Sequence, residues 1–220
     1  MEAIPAVVGG FPTRVEYLRF ADQTVRILVV DQLERIIDRE ALLRDADAAE
    51  PPYWAHLWTA SRALAAVAAA QQDWAGKRVV DIGCGLGLPA VIAALRGGIV
   101  TAVDTAPAAL AMTQANAALN DCAISVVQAD LCRPAFGTAF DVALAADVTY
   151  DPTLQQALAA FLAANLTRDG TAWCAESVRT HDPAFRRACE GCGLRVAETE
   201  VAVTDEERPI HVRLSEIHHA

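Results

Sequence analysis

The sequence has no apolar run long enough to cross a membrane and no excess of positive charge. No segment reaches about 18 apolar residues free of charges, the length that a membrane-spanning helix needs. The 220 residues include 18 Lys and Arg against 28 Asp and Glu, which gives a formal net charge of −10. Such a surface repels phosphate backbones and anionic lipids, so we expect neither a nucleic acid nor a membrane as partner.

Signals for secretion and for metal binding are also missing. The opening stretch MEAIPAVVGGFP has neither the basic start nor the long apolar core of a signal peptide, and the six cysteines are scattered. We therefore expect a cytoplasmic protein with reduced thiols. Cys189 and Cys192 form a lone CxxC pair, which supplies half of a tetrahedral site, and the histidines show no ligand spacing. The sequence thus predicts no metal site.

What the sequence does have is material for a buried core, with 54% hydrophobic residues, and a regular alternation of strand and helix patterns. It predicts an α/β fold with a doubly wound, mostly parallel sheet of seven strands, Rossmann-like in arrangement. Residues 15–20 and 24–30 predict a small N-terminal β-hairpin, and 31–44 a short amphipathic helix. We divide the chain into an N-terminal extension, 1–50, and a main domain, 51–220. The predicted strands of the main domain are 77–82, 99–103, 124–128, 140–146, 171–176, 194–200 and 210–216, and its predicted helices are 59–71, 88–96, 107–119, 152–165 and 182–190.

Local signals mark where several of these elements begin. Asp151 followed by Pro152, and Asp182 followed by Pro183, each place an acid at a helix N-cap and proline at the first helical position. The last two strands have no helix between them. We therefore expect them to form an antiparallel pair joined by residues 203–209.

The stretch VVDIGCGLGLPA, residues 79–90, ends an apolar strand in an acid and then places three glycines at every second position. A dinucleotide fold has G-x-G-x-x-G/A at this turn, but Leu88 stands at the last position. Asp81 would also repel a pyrophosphate docking on the following helix. S-adenosylmethionine carries an ammonium and a sulfonium group instead, and both suit a carboxylate at this point.

Two more acids stand where predicted strands end. Asp104 follows the glycines by about 20 residues, where an acid can accept from both ribose hydroxyls of either cofactor class. Asp130 ends the third strand, where it can accept from an adenine amino group. With these acids, residues 79–131 resemble a class I, seven-strand S-adenosylmethionine-dependent methyltransferase. The resemblance implies S-adenosylmethionine as cofactor, with binding residues Trp58, Asp81, Gly83, Gly85, Gly87, Asp104, Asp130 and Leu131.

Two further stretches narrow the class. DVTYDP, 147–152, resembles the D-x-x-Y/F signature of the family 16 group of protein methyltransferases. PYWA, 52–55, with Trp58 after it, is similar to the lysine methyltransferases of the electron-transfer flavoprotein β subunit, although Thr59 departs from the residues that often follow this tryptophan. The resemblance implies methyl transfer to a protein lysine, on electron-transfer flavoprotein β subunit or a ribosomal protein. It also implies catalytic roles for Asp147 and Tyr150 and a substrate pocket that includes Tyr53 and Trp54.

Several of these residues have a purely structural alternative. Trp54 and Trp58 could be core anchors, and Asp147 could be an N-cap, although Asp151 already serves as one. For the whole protein, the alternatives are a small-molecule N- or O-methyltransferase and a protein that binds S-adenosylmethionine without catalysis. A nicotinamide oxidoreductase is the most distant of them. We expect residues 1–45 to cover or frame the acceptor site.

Overall fold

The computed structural model describes residues 6–20, 22–36, 51–71, 74–133, 137, 139–178, 183–205 and 208–220. The strands are β1 (Val7–Val8), β2 (Phe11–Phe20), β3 (Gln23–Val30), β4 (Arg78–Ile82), β5 (Ile99–Asp104), β6 (Ile124–Gln128), β7 (Phe140–Ala146), β8 (Leu166–Ser177), β9 (Leu194–Asp205) and β10 (Arg208–His219).

The main sheet has seven strands in the order β6-β5-β4-β7-β8-β10-β9, and β1-β2-β3 form a separate sheet. Strands β4 to β8 run parallel, whereas β10 is antiparallel to both β8 and β9. The predicted α/β fold with a mostly parallel seven-stranded sheet is confirmed. The predicted antiparallel pairing of the last two strands and of the N-terminal hairpin is confirmed as well.

Helices cover both faces of the main sheet. They are α1 (Leu33–Ile36), α2 (Thr59–Ala70), α3 (Leu88–Leu95), α4 (Pro107–Leu119), α5 (Pro152–Asn165) and α6 (Ala184–Gly191), and a short 3-10 helix spans Tyr53–Ala55. The apolar residues of α2, α3 and α4 share one core, while those of α5 and α6 share a second core. Successive side chains of a strand point to opposite faces, so Val79 belongs to the first core and Val80 to the second. No helix in the described parts of the chain is long and apolar enough to cross a membrane.

Some boundaries differ from the prediction. Strand β8 begins at Leu166 rather than at 171. The polar residues 167–170 form an irregularity in the parallel pairing with β7 and do not separate Leu166 from the strand. Strand β1 adds a third strand to the N-terminal hairpin. Residues 37–44 of the predicted N-terminal helix lie outside the described residues, as do the predicted domain boundary at 50 and the predicted N-cap Asp182.

The N-terminal sheet is fixed to the main domain along α4. Ile27 and Leu28 are fully buried in the core that α2, α3 and α4 share. Asn116 Oδ1 accepts from the Leu28 N–H at 2.6 Å, and its Nδ2 donates to the Leu28 carbonyl at 3.3 Å. Asn120 does the same with the N–H and carbonyl of Arg26, at 2.9 and 2.6 Å. Asn116 and Asn120 can pair with the backbone of β3 as a neighbouring strand would, because a step of four helical residues spans about 6 Å and a step of two strand residues about 6.6 Å.

Candidate functional site

A cleft of about 440 Å³ opens where β4, β5, β6 and β7 end. Parallel strands end together at this edge of a doubly wound sheet, and ligands bind there. Segment 51–58 forms another part of its wall. The cleft brings together most of the predicted site residues, namely Tyr53, Trp54, Trp58, Asp81, Gly83, Gly85, Asp104, Asp130, Leu131, Asp147 and Tyr150. Gly87 is not among the described residues that line it.

The three glycines are required by the turn itself. Gly83, Gly85 and Gly87 have φ values of +63°, +52° and +74°, which favour glycine. A Cβ atom would also be crowded at each position: 2.5 Å from Val148 at Gly83, 3.0 Å from the Trp54 carbonyl at Gly85, and 2.6 Å from Thr113 at Gly87. Gly87 forms the N-cap of α3 and packs against α4. The geometry of the turn therefore explains why position 87 is glycine, without contact to a cofactor.

Asp81 is buried at the end of β4, with 1% of its surface exposed. Its Oδ2 accepts a hydrogen bond from the N–H of Ala90 at 3.2 Å, in the first turn of α3, where Pro89 has no N–H to donate. Burial raises the pKa of Asp81 well above its usual value, the Ala90 N–H lowers it, and neighbouring Asp104 raises it. This carboxyl group occupies the helix N-terminus on which a pyrophosphate would dock, which disfavours a dinucleotide.

Asp104 uses both of its carboxyl oxygens. Oδ2 accepts from the N–H of Gly85 at 3.0 Å, and Oδ1 accepts from the N–H of Ala106 at 2.9 Å. Burial raises the pKa of Asp104, while these backbone hydrogen bonds oppose the rise. Each oxygen has a further lone pair, so this fixed carboxylate can accept from two adjacent hydroxyl groups.

Asp130 and Leu131 follow β6 at the rim of the cleft. Asp130 is exposed, and its Oδ1 accepts from the backbone N–H of Cys132 at 2.9 Å. Leu131 is half-buried and packs against the core that contains α5 and α6. An acceptor oxygen and an apolar side chain therefore stand side by side at this end of the cleft.

Segment 51–58 contributes aromatic rings, which we call the aromatic wall: Tyr53, Trp54, His56 and Trp58. Trp58 Nε1 donates to the Tyr53 carbonyl at 2.8 Å, and its ring meets that of His56 edge-on with centroids 4.6 Å apart. The Trp54 ring meets that of Phe11 edge-on at 5.0 Å. Trp54 is thus anchored by the N-terminal sheet, whereas Trp58 is 38% exposed and is not a core residue.

The residue after β7, Asp147, has a φ of +53°, which is uncommon for any residue but glycine. Its N–H donates to the carbonyl of Ala175 at 2.8 Å, and its Oδ1 accepts from the N–H of Ser177 at 3.1 Å. Asp151, and not Asp147, caps α5, because Asp151 Oδ1 accepts from the N–H of Thr153 at 2.7 Å. The N-cap alternative for Asp147 is therefore wrong.

The residues that hold the glycine turn from behind were not predicted from the sequence. Thr113 Oγ1 donates to the Gly85 carbonyl at 3.1 Å, and Asn116 Nδ2 donates to the Leu86 carbonyl at 2.8 Å. Both donors are fully buried polar residues on α4, an otherwise alanine-rich helix, and their three-residue spacing was the available signal. Cys84 lines the cleft too, but burial raises the pKa of its thiol well above the usual value. A thiol of that kind is a poor nucleophile.

Comparison with known proteins identifies the domain that contains this cleft. A family model described as a methyltransferase domain matches residues 79–170. These residues therefore match a methyltransferase domain, and the chain has the class I methyltransferase fold. The solved structure of magnesium protoporphyrin IX methyltransferase from Synechocystis with bound S-adenosylmethionine has a similar fold, with a TM-score of 0.58. The likeness covers 72% of this chain and 77% of that one, at 18% sequence identity. The predicted class I methyltransferase fold is confirmed, and S-adenosylmethionine, the predicted cofactor, is bound in that similar structure.

Two curated relatives share part of their sequence with this chain. The electron transfer flavoprotein β subunit lysine methyltransferase of Danio rerio is 34% identical over 122 residues, which cover 54% of this chain and 47% of the relative. The EEF1A lysine methyltransferase 3 of Mus musculus is 34% identical over 109 residues, 45% of each chain. The chain thus spans about half the length of these relatives.

Proposed function

We propose that this protein transfers a methyl group from S-adenosylmethionine to a nitrogen atom, the side-chain amine of a lysine in a protein. One observation carries the proposal: a single cleft is lined by two sets of groups. Asp81 and Asp104 are the carboxylates expected to bind the methyl donor, and Asp147 with the exposed aromatic rings is expected to bind the acceptor. The names of the two relatives, both lysine methyltransferases, support lysine as the acceptor.

The sheet side of the cleft fits the donor. S-adenosylmethionine supplies a methyl group bonded to a positively charged sulfur. Asp81 and Asp104 would complement its positive charges, and the second lone pairs of Asp104 would accept from ribose hydroxyls. Asp130 and Leu131 would hold the adenine, one as an acceptor and the other as an apolar surface. A nearby cation favours the charged form of an acid, so donor binding would lower the raised pKa of Asp81.

The acceptor part of the cleft has to hold a lysine amine, favour its neutral form and exclude water. Asp147 is held by the Ser177 N–H before any acceptor arrives. Its carboxylate would attract the lysine ammonium and then accept a hydrogen bond from the amine, which orients the lone pair. Tyr53 and Trp54 would pack on the aliphatic stem, and Tyr150 would face the cation with its ring. Burial of the lysine under a bound protein segment would lower its pKa, which opposes the effect of the Asp147 carboxylate and eases loss of the proton to solvent.

The mouth of the cleft suits a segment of protein. Tyr53, Trp58 and Tyr150 are 48%, 38% and 59% exposed, and all three line the cleft. Aromatic rings that combine an apolar face with a polar atom are frequent in protein interfaces. The net charge of −10 favours a partner that presents lysine. The electron-transfer flavoprotein β subunit is the first acceptor to test and a ribosomal protein the second; a cytoplasmic location stays a prediction.

The donor half of the proposal is tested by calorimetry with S-adenosylhomocysteine. We expect binding, and we expect Asp104→Ala to weaken it by about 1–3 kcal/mol, because charge-assisted hydrogen bonds are lost. Asp169→Ala removes an exposed acid near the amino end of β8, away from the cleft, and should leave the affinity unchanged. Tight binding of NADH with no response to S-adenosylhomocysteine would contradict the proposal.

The acceptor half is tested in a lysate from cells that lack this protein. Purified enzyme and S-adenosylmethionine with a labelled methyl group are added, and the products are separated by mass. We expect a discrete labelled protein band, with the label on lysine after hydrolysis. Label confined to low-mass material would point to a small-molecule methyltransferase, and donor binding without any label to a binding protein.

A further inference from the structure

A buried polar pair holds the loop that carries Asp147 and Tyr150. Glu176, near the end of β8, is 5% exposed, and its Oε2 accepts from Thr149 Oγ1 at 2.7 Å. Thr149 is 4% exposed, and its carbonyl accepts from Gln155 Nε2 at 2.8 Å. Polar groups are costly to bury unless they are hydrogen-bonded to one another. Glu176 and Thr149 are not among the described residues that line the cleft, so their role toward an acceptor is indirect.

Asp147 and Thr149 of loop 147–150 are anchored to β8, and three residues of the same loop line the cleft. Asp147 is tied to the backbone of β8 through its N–H and its Oδ1, and Thr149 is tied to Glu176 of the same strand. Val148 and Tyr150 line the cleft, as Asp147 itself does. The loop is therefore fastened to β8 at every second residue, in the same alternation as a strand.

We propose that Glu176 and Thr149 are positioning residues for methyl transfer: the pair determines where the loop presents Asp147 and Tyr150 to the acceptor. This inference rests on the proposed function. The left-handed backbone of Asp147 is a conformation that its surroundings must impose. In-line transfer depends on placement, since a displacement of about 1 Å can reduce the rate about a hundredfold.

The test compares two variants of one residue. Thr149→Val removes the hydroxyl group and keeps the shape of the side chain, whereas Thr149→Ser keeps the hydroxyl group. We expect Thr149→Val to reduce the rate of label transfer to the acceptor band by about tenfold to a hundredfold. We expect its affinity for S-adenosylhomocysteine to change little and Thr149→Ser to behave like the wild type. Hydrogen exchange of the amides of 147–150 should become faster in the valine variant only.

Glu176 offers the matching comparison from the other side of the hydrogen bond. Glu176→Gln keeps an oxygen that can accept from Thr149, so it should retain most of the transfer rate, whereas Glu176→Leu should lose it. Asn165→Leu is the control for loss of a buried hydrogen bond. Asn165 Nδ2 donates to the Phe161 carbonyl at 2.9 Å at the end of α5, at the opposite edge of the sheet. This variant should melt at a lower temperature and keep its transfer rate.

The inference is wrong if folded Thr149→Val transfers label at the wild-type rate, or if its rate and donor affinity fall together. If Thr149→Val does not fold, Gln155→Leu replaces it in the test. This variant removes the hydrogen bond to the Thr149 carbonyl and keeps the one to Glu176, so we expect a smaller loss of transfer rate with donor affinity unchanged. Failure of the proposed function looks different, because then the wild type itself binds no S-adenosylhomocysteine or labels no protein.

Discussion

At the scale of single residues, Asp81 combines two opposing demands. Its carboxyl group is buried, which penalises the charged form, yet the proposed donor needs that charge. The N–H of Ala90 offsets only part of the penalty. Binding sites often hold such groups because a ligand of opposite charge supplies the missing partner.

Asp81→Asn should therefore stabilise the protein without donor and weaken donor binding. The raised pKa means that the folded protein binds a proton more tightly than the unfolded chain, so stability is lost as pH rises from the ordinary carboxyl range through the raised pKa. Asparagine keeps an oxygen for the Ala90 N–H and does not ionise. We expect a higher melting temperature than wild type at pH 8, a smaller difference at pH 5, and S-adenosylhomocysteine affinity lower by about tenfold.

The pH dependence of donor affinity provides the control. In the wild type, affinity should fall as pH falls through the raised pKa of Asp81, because the neutral acid attracts the donor's ammonium less strongly. In Asp81→Asn that contribution should be absent. A variant that is less stable than wild type at pH 8 would show that the carboxylate acts mainly as a helix cap.

Asp147→Asn separates charge from shape at the proposed acceptor site. Asparagine can still accept from the Ser177 N–H and tolerates a left-handed backbone, so the loop should keep its position. We expect turnover to fall by about a hundredfold or more, the scale of one electrostatic contribution, while donor affinity changes little. Tyr150→Phe should lose less, since the ring stays. Both quantities are measured on one preparation.

Two outcomes would change the assignment of Asp147. If turnover and donor affinity collapse together, the residue belongs to the donor site or to the fold. If neither changes, the assignment of a lysine acceptor loses its main chemical support. The rate of label transfer and calorimetry with S-adenosylhomocysteine distinguish the two.

At the scale of secondary structure, α4 links the glycine turn to the N-terminal sheet. Among the described residues, the side chain of Asn120, which directly follows α4, bonds to the backbone of β3 and to a carbonyl of α4. Asn116 holds β3 on one side and the Leu86 carbonyl in the glycine turn on the other. One helix therefore positions both a structural sheet and a proposed binding loop.

This difference predicts different effects for two similar variants. Asn120→Ala and Asn116→Ala should each lower the free energy of unfolding by about 1–3 kcal/mol, because buried backbone groups lose their partners. Only Asn116→Ala should also weaken S-adenosylhomocysteine binding, because the glycine turn loses an anchor. Urea unfolding and calorimetry check the two effects. Equal loss of donor affinity in both variants would contradict a specific link through Asn116.

At the scale of the whole molecule, the N-terminal sheet is part of the packed core. Val25, Ile27, Leu28, Val29 and Val30 of β3 are each at most 5% exposed. Burial of one such side chain contributes about 1.5–3 kcal/mol, and the net stability of a domain is only about 5–15 kcal/mol. The sheet also supports the aromatic wall through Phe11 and Trp54.

Deletion of residues 1–30 should therefore abolish cooperative folding and not merely impair methyl transfer. Circular dichroism during urea unfolding checks this, with full-length protein as reference. A truncated chain that unfolds cooperatively and binds S-adenosylhomocysteine with wild-type affinity would show that the sheet only frames the acceptor site, as the sequence led us to expect.

The sequence by itself determined the features that contiguous residues encode. Apolar runs of strand length, the glycine turn, the acids at strand ends and the Asp151 cap each depend on neighbours within a few residues. Periodicity and local hydrogen bonding specify such elements before the chain is folded. Parallel strands then bring their carboxyl ends together, so the part of the cleft that strand ends form followed from the fold class.

Only the tertiary structure decided which distant partners these residues contact and how deeply they are buried. Asp147 is anchored by Ser177 across 30 residues of sequence, and Leu28 meets Asn116 across 88. Thr149 likewise finds Glu176 only when β7 and β8 lie side by side. No local pattern encodes these partners, because a hydrogen bond depends on distance in space and on exclusion of water. The burial that raises the pKa of Asp81 likewise exists only once the core has formed around it.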